Sequence, residues 1–280
     1  MIVGRWALLF SLAFVLHAAP PLRVFDAGIS QTEDGPFVPK GTTFVPGEVI
    51  FFSCRVDGYT LSPVKKVAID YQLTATDPNG IPLIEPVAAA IDSELSPQDK
   101  DWKPKIRQTV LIPPLADSGI YKISISLKDA VQESTPSTAS VEVTFEVRGR
   151  AVEPSPTLVV RNFQFYRRED DPEPLKIAAY RPGDSVWARF DVTGYKLGPG
   201  NQRDVAYTFT VTAEGGRVML PAGEPTVDRS SSFYPMRYVP CGISLNLQPT
   251  IRAGEYTVVI QAEDRIGKQT HEWKQSFRVE

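Results

Sequence analysis

Histidine is almost missing from this chain: its 280 residues hold two, His17 and His271. A nucleophile–imidazole–carboxylate triad needs a histidine beside its nucleophile. His17 lies in an N-terminal apolar run, so His271 alone could serve. It stands next to Glu272 near the start of the last strand-like segment, where an exposed edge position is the ordinary reading. Cysteine is equally sparse, with Cys54 and Cys241 only. A zinc or copper site needs more imidazole and thiolate ligands than that. No glycine-rich phosphate loop is present. Positive charge is not in excess: 30 Lys and Arg face 33 Asp and Glu, a formal charge of −3. That balance argues against nucleic acid and against anionic membrane surfaces as partners. Beyond the N-terminus no apolar run approaches the ~20 residues that span a bilayer.

The N-terminus carries the one marked apolar stretch. Arg5 precedes a run from Trp6 to Leu16, followed by His17, Ala18, Ala19 and Pro20. A basic start, a short apolar core and small residues at its end predict a secretory signal peptide over residues 1–19, cleaved near residue 19 or 20. The expectation is an exported protein, periplasmic or extracellular. About 260 residues then remain, enough for two domains of ordinary size.

The remainder repeats itself. Residues 44–61 read FVPGEVIFFSCRVDGYTL, and residues 180–197 read YRPGDSVWARFDVTGYKL, 136 positions later without a gap. Further on, Gly119, Tyr121, Ile123 and Ile125 fall on Gly254, Tyr256, Val258 and Ile260. Small changes in offset belong in loops. Strand signals fill both copies. Ile50, Phe52, Cys54 and Val56 alternate, as do Val186, Ala188, Phe190 and Val192, and each set predicts one buried face. Trp273 takes the place of Val141 in the last strand and reads as core. The 25 prolines, spread along the chain, suit loop-rich β structure. No segment keeps a helical period.

Asp117-Ser118-Gly119-Ile120-Tyr121 resembles the tyrosine-corner segment of immunoglobulin-like domains, and Arg252-Ala253-Gly254-Glu255-Tyr256 resembles a second copy. The resemblance implies that each tyrosine hydroxyl bonds back to nearby backbone. Antibody-type domains also carry a Cys two residues after this Tyr, where the chain has Ile123 and Val258, so the usual inter-sheet disulfide is excluded. The chain is more similar to bacterial immunoglobulin-like or fibronectin-III-like modules. The expected fold is all-β: two tandem immunoglobulin-like β-sandwich domains after a signal peptide, with domains at 20–149 and 156–280 and a short, stiff linker at 150–155.

Such a module predicts binding or structural work rather than catalysis, with no cofactor, and a protein or glycan of the cell envelope as partner. A periplasmic two-domain chaperone and a carbohydrate-binding accessory protein of a hydrolase are the alternatives. Phe51 and Trp187 share one repeat position on the face opposite the core set. Outward aromatics there either stack on a ligand or pack under a neighbouring loop. Glu33-Asp34, Glu169-Asp170-Asp171, Asp129 and Asp264 recur at matching places and leave weak calcium binding open. Whether Cys54 and Cys241 form a bridge is open too; Cys54 reads as a core residue and Cys241 as lying just before a strand.

Overall fold

A computed structural model describes residues 21–99, 101–131 and 137–280. The expected signal peptide lies outside the described residues. What is described is all-β, with helical structure confined to three 3-10 turns of three residues each.

The first half holds eight strands: β1 (Arg23–Ser30), β2 (Thr43–Phe44), β3 (Val49–Asp57), β4 (Lys66–Thr76), β5 (Val87–Glu94), β6 (Lys105–Leu111), β7 (Gly119–Asp129) and β8 (Thr138–Val147). They form a three-stranded sheet, β1-β3-β6, and a five-stranded sheet, β2-β8-β7-β4-β5. The second half holds β9 (Val159–Tyr166), β10 (Ala179–Tyr180), β11 (Ser185–Thr193), β12 (Arg203–Ala213), β13 (Val218–Leu220), β14 (Thr226–Ser230), β15 (Tyr238–Asn246), β16 (Gly254–Asp264) and β17 (Gln269–Val279). Here the small sheet is β15-β11-β9 and the large one β10-β17-β16-β12-β13, with β14 also on β12. Among the described residues no strand pair joins the halves.

Alternation explains the packing. Ile50, Phe52, Cys54 and Val56 on β3 are buried, and so are Val186, Ala188, Phe190 and Val192 on β11. Each set meets the inner face of the larger sheet, through Tyr121, Ile123 and Ile125 in the first half and Tyr256, Val258 and Ile260 in the second. The Pro-Gly-acid segments that open β3 and β11 are turns: Gly47 has φ 90° and Gly183 φ 91°, a left-handed conformation that favours glycine. The following acid closes each turn, Glu48 accepting from Val45 N–H at 2.9 Å and Asp184 from Arg181 N–H at 2.8 Å.

Both tyrosine corners form. The Tyr121 hydroxyl donates to Asp117 O at 2.8 Å, and the Tyr256 hydroxyl to Arg252 O at 2.8 Å. Trp273 is half-buried against the second core. Two residues differ from expectation. Cys241 lies inside β15 rather than before it, facing the core opposite Phe190. His271 is half-buried on β17 opposite Ala262, with Nε2 enclosed, and is not an exposed edge residue.

The antiparallel order gives each half an entry end, where the chain arrives, and an exit end, where it leaves. In the first half the entry loops are 58–65 and 95–104, and the exit loops are 77–86 and 112–118. In the second half the entry loops are 194–202 and 231–237, and the exit loops are 214–217 and 247–253.

Candidate functional site

Phe51 and Trp187 point away from the cores on the middle strands of the two small sheets. Phe51 stands between Ser30 on β1 and Thr109 on β6, half-buried. It lines a depression of about 350 Å³ with Glu33, Arg107 and Gln108. Trp187, also half-buried, stands between Tyr166 on β9 and Ser244 on β15. The Arg189 guanidinium lies 4.1 Å from the Tyr166 ring centroid, and Arg189 is held in place by the carbonyl of Glu169. A cation over an aromatic face is attractive by about 0.5–2 kcal/mol. Tyr166 is itself buried, so Trp187 and Arg189 are the half-buried side chains presented here. The structure does not bring Phe51 and Trp187 together, since they occupy equivalent faces of different halves.

The acidic turns have other work. Asp34 accepts from Lys105 and from Arg107, each at 2.9 Å, and these cations hold its carboxyl below the usual range. Asp171 accepts from Arg168 N–H at 3.0 Å. Asp129 is fully buried and accepts from Thr60 N–H at 2.7 Å and Val131 N–H at 3.0 Å. Asp264, equally buried, accepts from Lys196, Ile266 and Gly267 N–H and from the Gln269 amide. Buried carboxylates are stabilised by such donors. Among the described residues no three His, Cys, Asp or Glu side chains converge, so the calcium expectation finds no support.

Cys54 and Cys241 are free. The β3 and β11 alignment explains why: Cys54 takes the place of Phe190, while Cys241 pairs with Phe190 as Ile106 pairs with Cys54. They occupy neighbouring positions of the same site in two different cores and have no route to each other. Burial pushes both thiols up to about 12, so neither is a nucleophile at neutral pH.

A further polar assembly has no signature in the sequence. It fills the junction between the halves. Entry loop 231–237 of the second half inserts into the exit end of the first, where Tyr234 is buried within the first half's core and Met236 packs on it. The Tyr234 hydroxyl donates to Asp77 at 2.8 Å, and Arg237 lies 3.6 Å from Asp77 and 3.3 Å from Asp117. Asp77 also accepts from the N–H groups of Asn79 and Ile81, both at 2.8 Å. Burial raises the Asp117 carboxyl; Arg237 opposes this and Asp77 adds to it. Burial, with Asp77 next, carries the Tyr234 hydroxyl far above its ordinary range.

The inserted loop is itself fixed from below. Tyr195 donates to Met236 O at 2.7 Å, Thr193 to Arg237 O at 2.9 Å and Ser232 to Tyr234 O at 2.7 Å. The connecting segment is clamped on both sides. Gly149 O accepts from Ser118 at 2.9 Å, and a Cβ at Gly149 would stand 2.0 Å from Ala116 O. One residue on, Arg150 pairs at 3.0 Å with Asp191, which is fully buried on β11 and also accepts from Asn162 at 2.8 Å. Arg150 and Arg237 are therefore both paired with aspartates at the junction.

No protein-family model matches the chain, and no curated protein matches it. Among solved structures, it is similar to the C-terminal domain of the Streptococcus agalactiae AgI/II polypeptide BspA, at 13% identity over 92% of this chain and 99% of that one, with a TM-score of 0.32. It is similar also to the C-terminal domain of the Streptococcus pyogenes antigen I/II-family protein AspA, at 10% identity over 90% and 98%, TM-score 0.32. A third likeness is to native E. coli alpha-2-macroglobulin, at 14% identity over 94% of this chain and 14% of that one, TM-score 0.26. With TM-scores this low, neither arrangement nor role transfers from them.

Proposed function

We propose that the protein is an exported, non-enzymatic presenting module: two β-sandwich domains held as one stiff unit, offering their outer sheet faces to a protein or glycan of the cell envelope. The observation that carries this reading is the junction. Two chains of contact, Tyr234 and Arg237 on Asp77 and Asp117, and Arg150 on Asp191, fix the halves relative to each other. A flexible tether would need none of them. Stiffness is useful to a protein that must hold two surfaces at a set separation, because less freedom is lost on binding. Trp187, half-buried near Arg189, is the ring the second of those faces presents, and stacking on a sugar ring or a partner side chain suits it.

The test is capture from native envelope extract by immobilised protein, set beside Trp187→Ala and Phe51→Ala. A partner that uses this ring should be lost about tenfold or more with Trp187→Ala while the melting temperature holds. Unchanged capture with a large drop in stability would make Trp187 a packing residue. Hydrolysis of a glycan, ester or peptide, abolished by one Asp or Glu substitution, would overturn the non-enzymatic reading.

A further inference from the structure

We propose that two copies of the protein associate through strand β5, the free edges of their first halves pairing antiparallel about a two-fold axis at Ala90. A bare sheet edge offers unpaired N–H and C=O groups to any other strand, and edges are ordinarily shortened, bulged, charged or interrupted by proline. Among the described residues every edge but one is so protected. β1 and β9 carry bulges, with Asp26 at φ 46° and Asn162 at φ 52°. β6 carries Lys105 and Arg107, and β15 carries Pro240. β2 and β10 have two residues each. In the second half the edge beside β12 is split between β14 and the three residues of β13. Its counterpart in the first half is β5, eight residues long, paired with β4 without a register shift and holding no Pro, Lys or Arg.

The ladder shows which groups β5 leaves free. The N–H of Leu95 donates to Lys65 O at 3.0 Å, which marks a hydrogen-bonded pair. Such pairs alternate along an antiparallel ladder. The backbone groups of Val87, Ala89, Ile91 and Ser93 are therefore turned to β4, and those of Ala88, Ala90, Asp92 and Glu94 to the open edge. Val87 and Ile91 pack on the first core, so the side chains of Ala88, Ala90 and Asp92 lie on the outer face. All three residues are exposed, and no other strand meets this edge among the described residues.

A second copy fits this edge in one register. Outward groups must meet outward groups, so Ala90 pairs with its own counterpart and Ala88 with Asp92, each pair exchanging two bonds. On the inner face Ile91 comes opposite Ala89, large against small, and Val87 opposite Ser93. The acids stay apart. Asp92 faces Ala88, so the two Asp92 side chains stand four positions from each other along the seam, and each keeps its Lys66 at 2.8 Å. Moving the axis to Ile91 would set the two Asp92 on adjacent diagonals, where like charges repel. Moving it to Ala89 would put Asp92 opposite Pro86, which has no N–H to give. Glu94 stands opposite Lys66 within its own sheet and meets Pro86 of the other copy, where the seam ends. Exposed Glu85 lies beyond that end. Asp70, next to Ala90 on β4, is itself opposite Lys128. The same surface serves both copies, so the association closes as a pair.

Sedimentation velocity and spin labelling of the purified protein test the idea together. Mass should move from monomer to dimer, and no further, as concentration rises to about 1 mM. Ala90→Lys sets two ammonium groups face to face at the axis and should weaken the pair about tenfold or more, with its melt unchanged. Nitroxide labels on Ala88→Cys and on Asp92→Cys, each four positions from its counterpart, should report equal separations across the dimer, as only an axis at Ala90 requires. Cys54 and Cys241 are buried and do not take the label. A monomer throughout, growth beyond a dimer, a dimer indifferent to Ala90→Lys, or unequal label separations would each overturn the proposal.

Discussion

At the scale of single residues, the corner tyrosines tie sequence to structure most directly. Their hydroxyls each hold a loop carbonyl, and Tyr121 and Tyr256 are otherwise buried. Tyr→Phe at either should cost about 1 kcal/mol, rising toward about 3 if the carbonyl is left dry, measured by denaturant melts. A spacing of four residues made this bond readable, because both partners lie in one short segment. Asp191 was not readable in the same way. Its partners Arg150 and Asn162 lie 41 and 29 residues away, and the position alternates outward, where solvent would be expected. Burial raises its carboxyl above the usual aspartate range, with Asn162 and Arg150 opposing. A raised folded-state pKa contributes stability below the unfolded value and loses it as pH climbs through the folded one. Asp191→Asn should therefore gain on the wild type as pH rises from the unfolded aspartate value of about 3.9 to the raised folded-state value, and hold a constant offset above it, seen by thermal melts across pH.

At the scale of elements, the strands were legible and the docking loop was not. Period-2 patterning identifies β3, β7, β11 and β16 because each buries one face against a facing sheet. Loop 231–237 reads as Ser-Ser-Phe-Tyr-Pro-Met-Arg, an ordinary turn with aromatics. Its destination is a surface 157 residues away in the chain, and nothing local encodes that. Phe233 is half exposed and Tyr234 5% exposed, so the neighbour of the obvious aromatic is the one that packs. Tyr234→Ala should cost about 3 kcal/mol, since it removes a buried ring and leaves Asp77 short of a donor. Solution scattering should then show a longer, more variable particle. A variant that keeps the wild-type profile would mean the linker clamp alone sets the geometry. Cys241 shows the same limit on a smaller scale: Pro240 beside it suggested a loop, yet β15 runs through both because it is an edge strand, where a residue without an N–H is tolerated.

At the scale of the whole molecule, the repeat allows the boundary to be tested. Each half has its own facing sheets and buried set, so fragments 20–149 and 156–280 should each fold cooperatively. They should not be equal. The first loses Tyr234 from its core and is left with Asp77 and Asp117 close together without Arg237. It should melt below the second, and an unfolded first fragment would show that the halves share one core. Circular dichroism against temperature decides it. Duplication was visible in the sequence because both copies keep the turn and corner residues. Phe51 and Trp187 stay outside the two buried sets, while the neighbours of Trp187, Tyr166 and Arg189, are set by pairing across β9 and β11 that alternation alone does not register.

The short parallel pairs at the exit of each half have a mechanical consequence. β2 runs parallel to the last residues of β8, with Phe44 opposite Val147, and β10 runs parallel to the last residues of β17, with Tyr180 opposite Val279. Sheet hydrogen bonds lie across the strand direction. A pull on the chain beyond Val147 or Val279 therefore runs along the strand, loading its bonds side by side and not peeling them one by one.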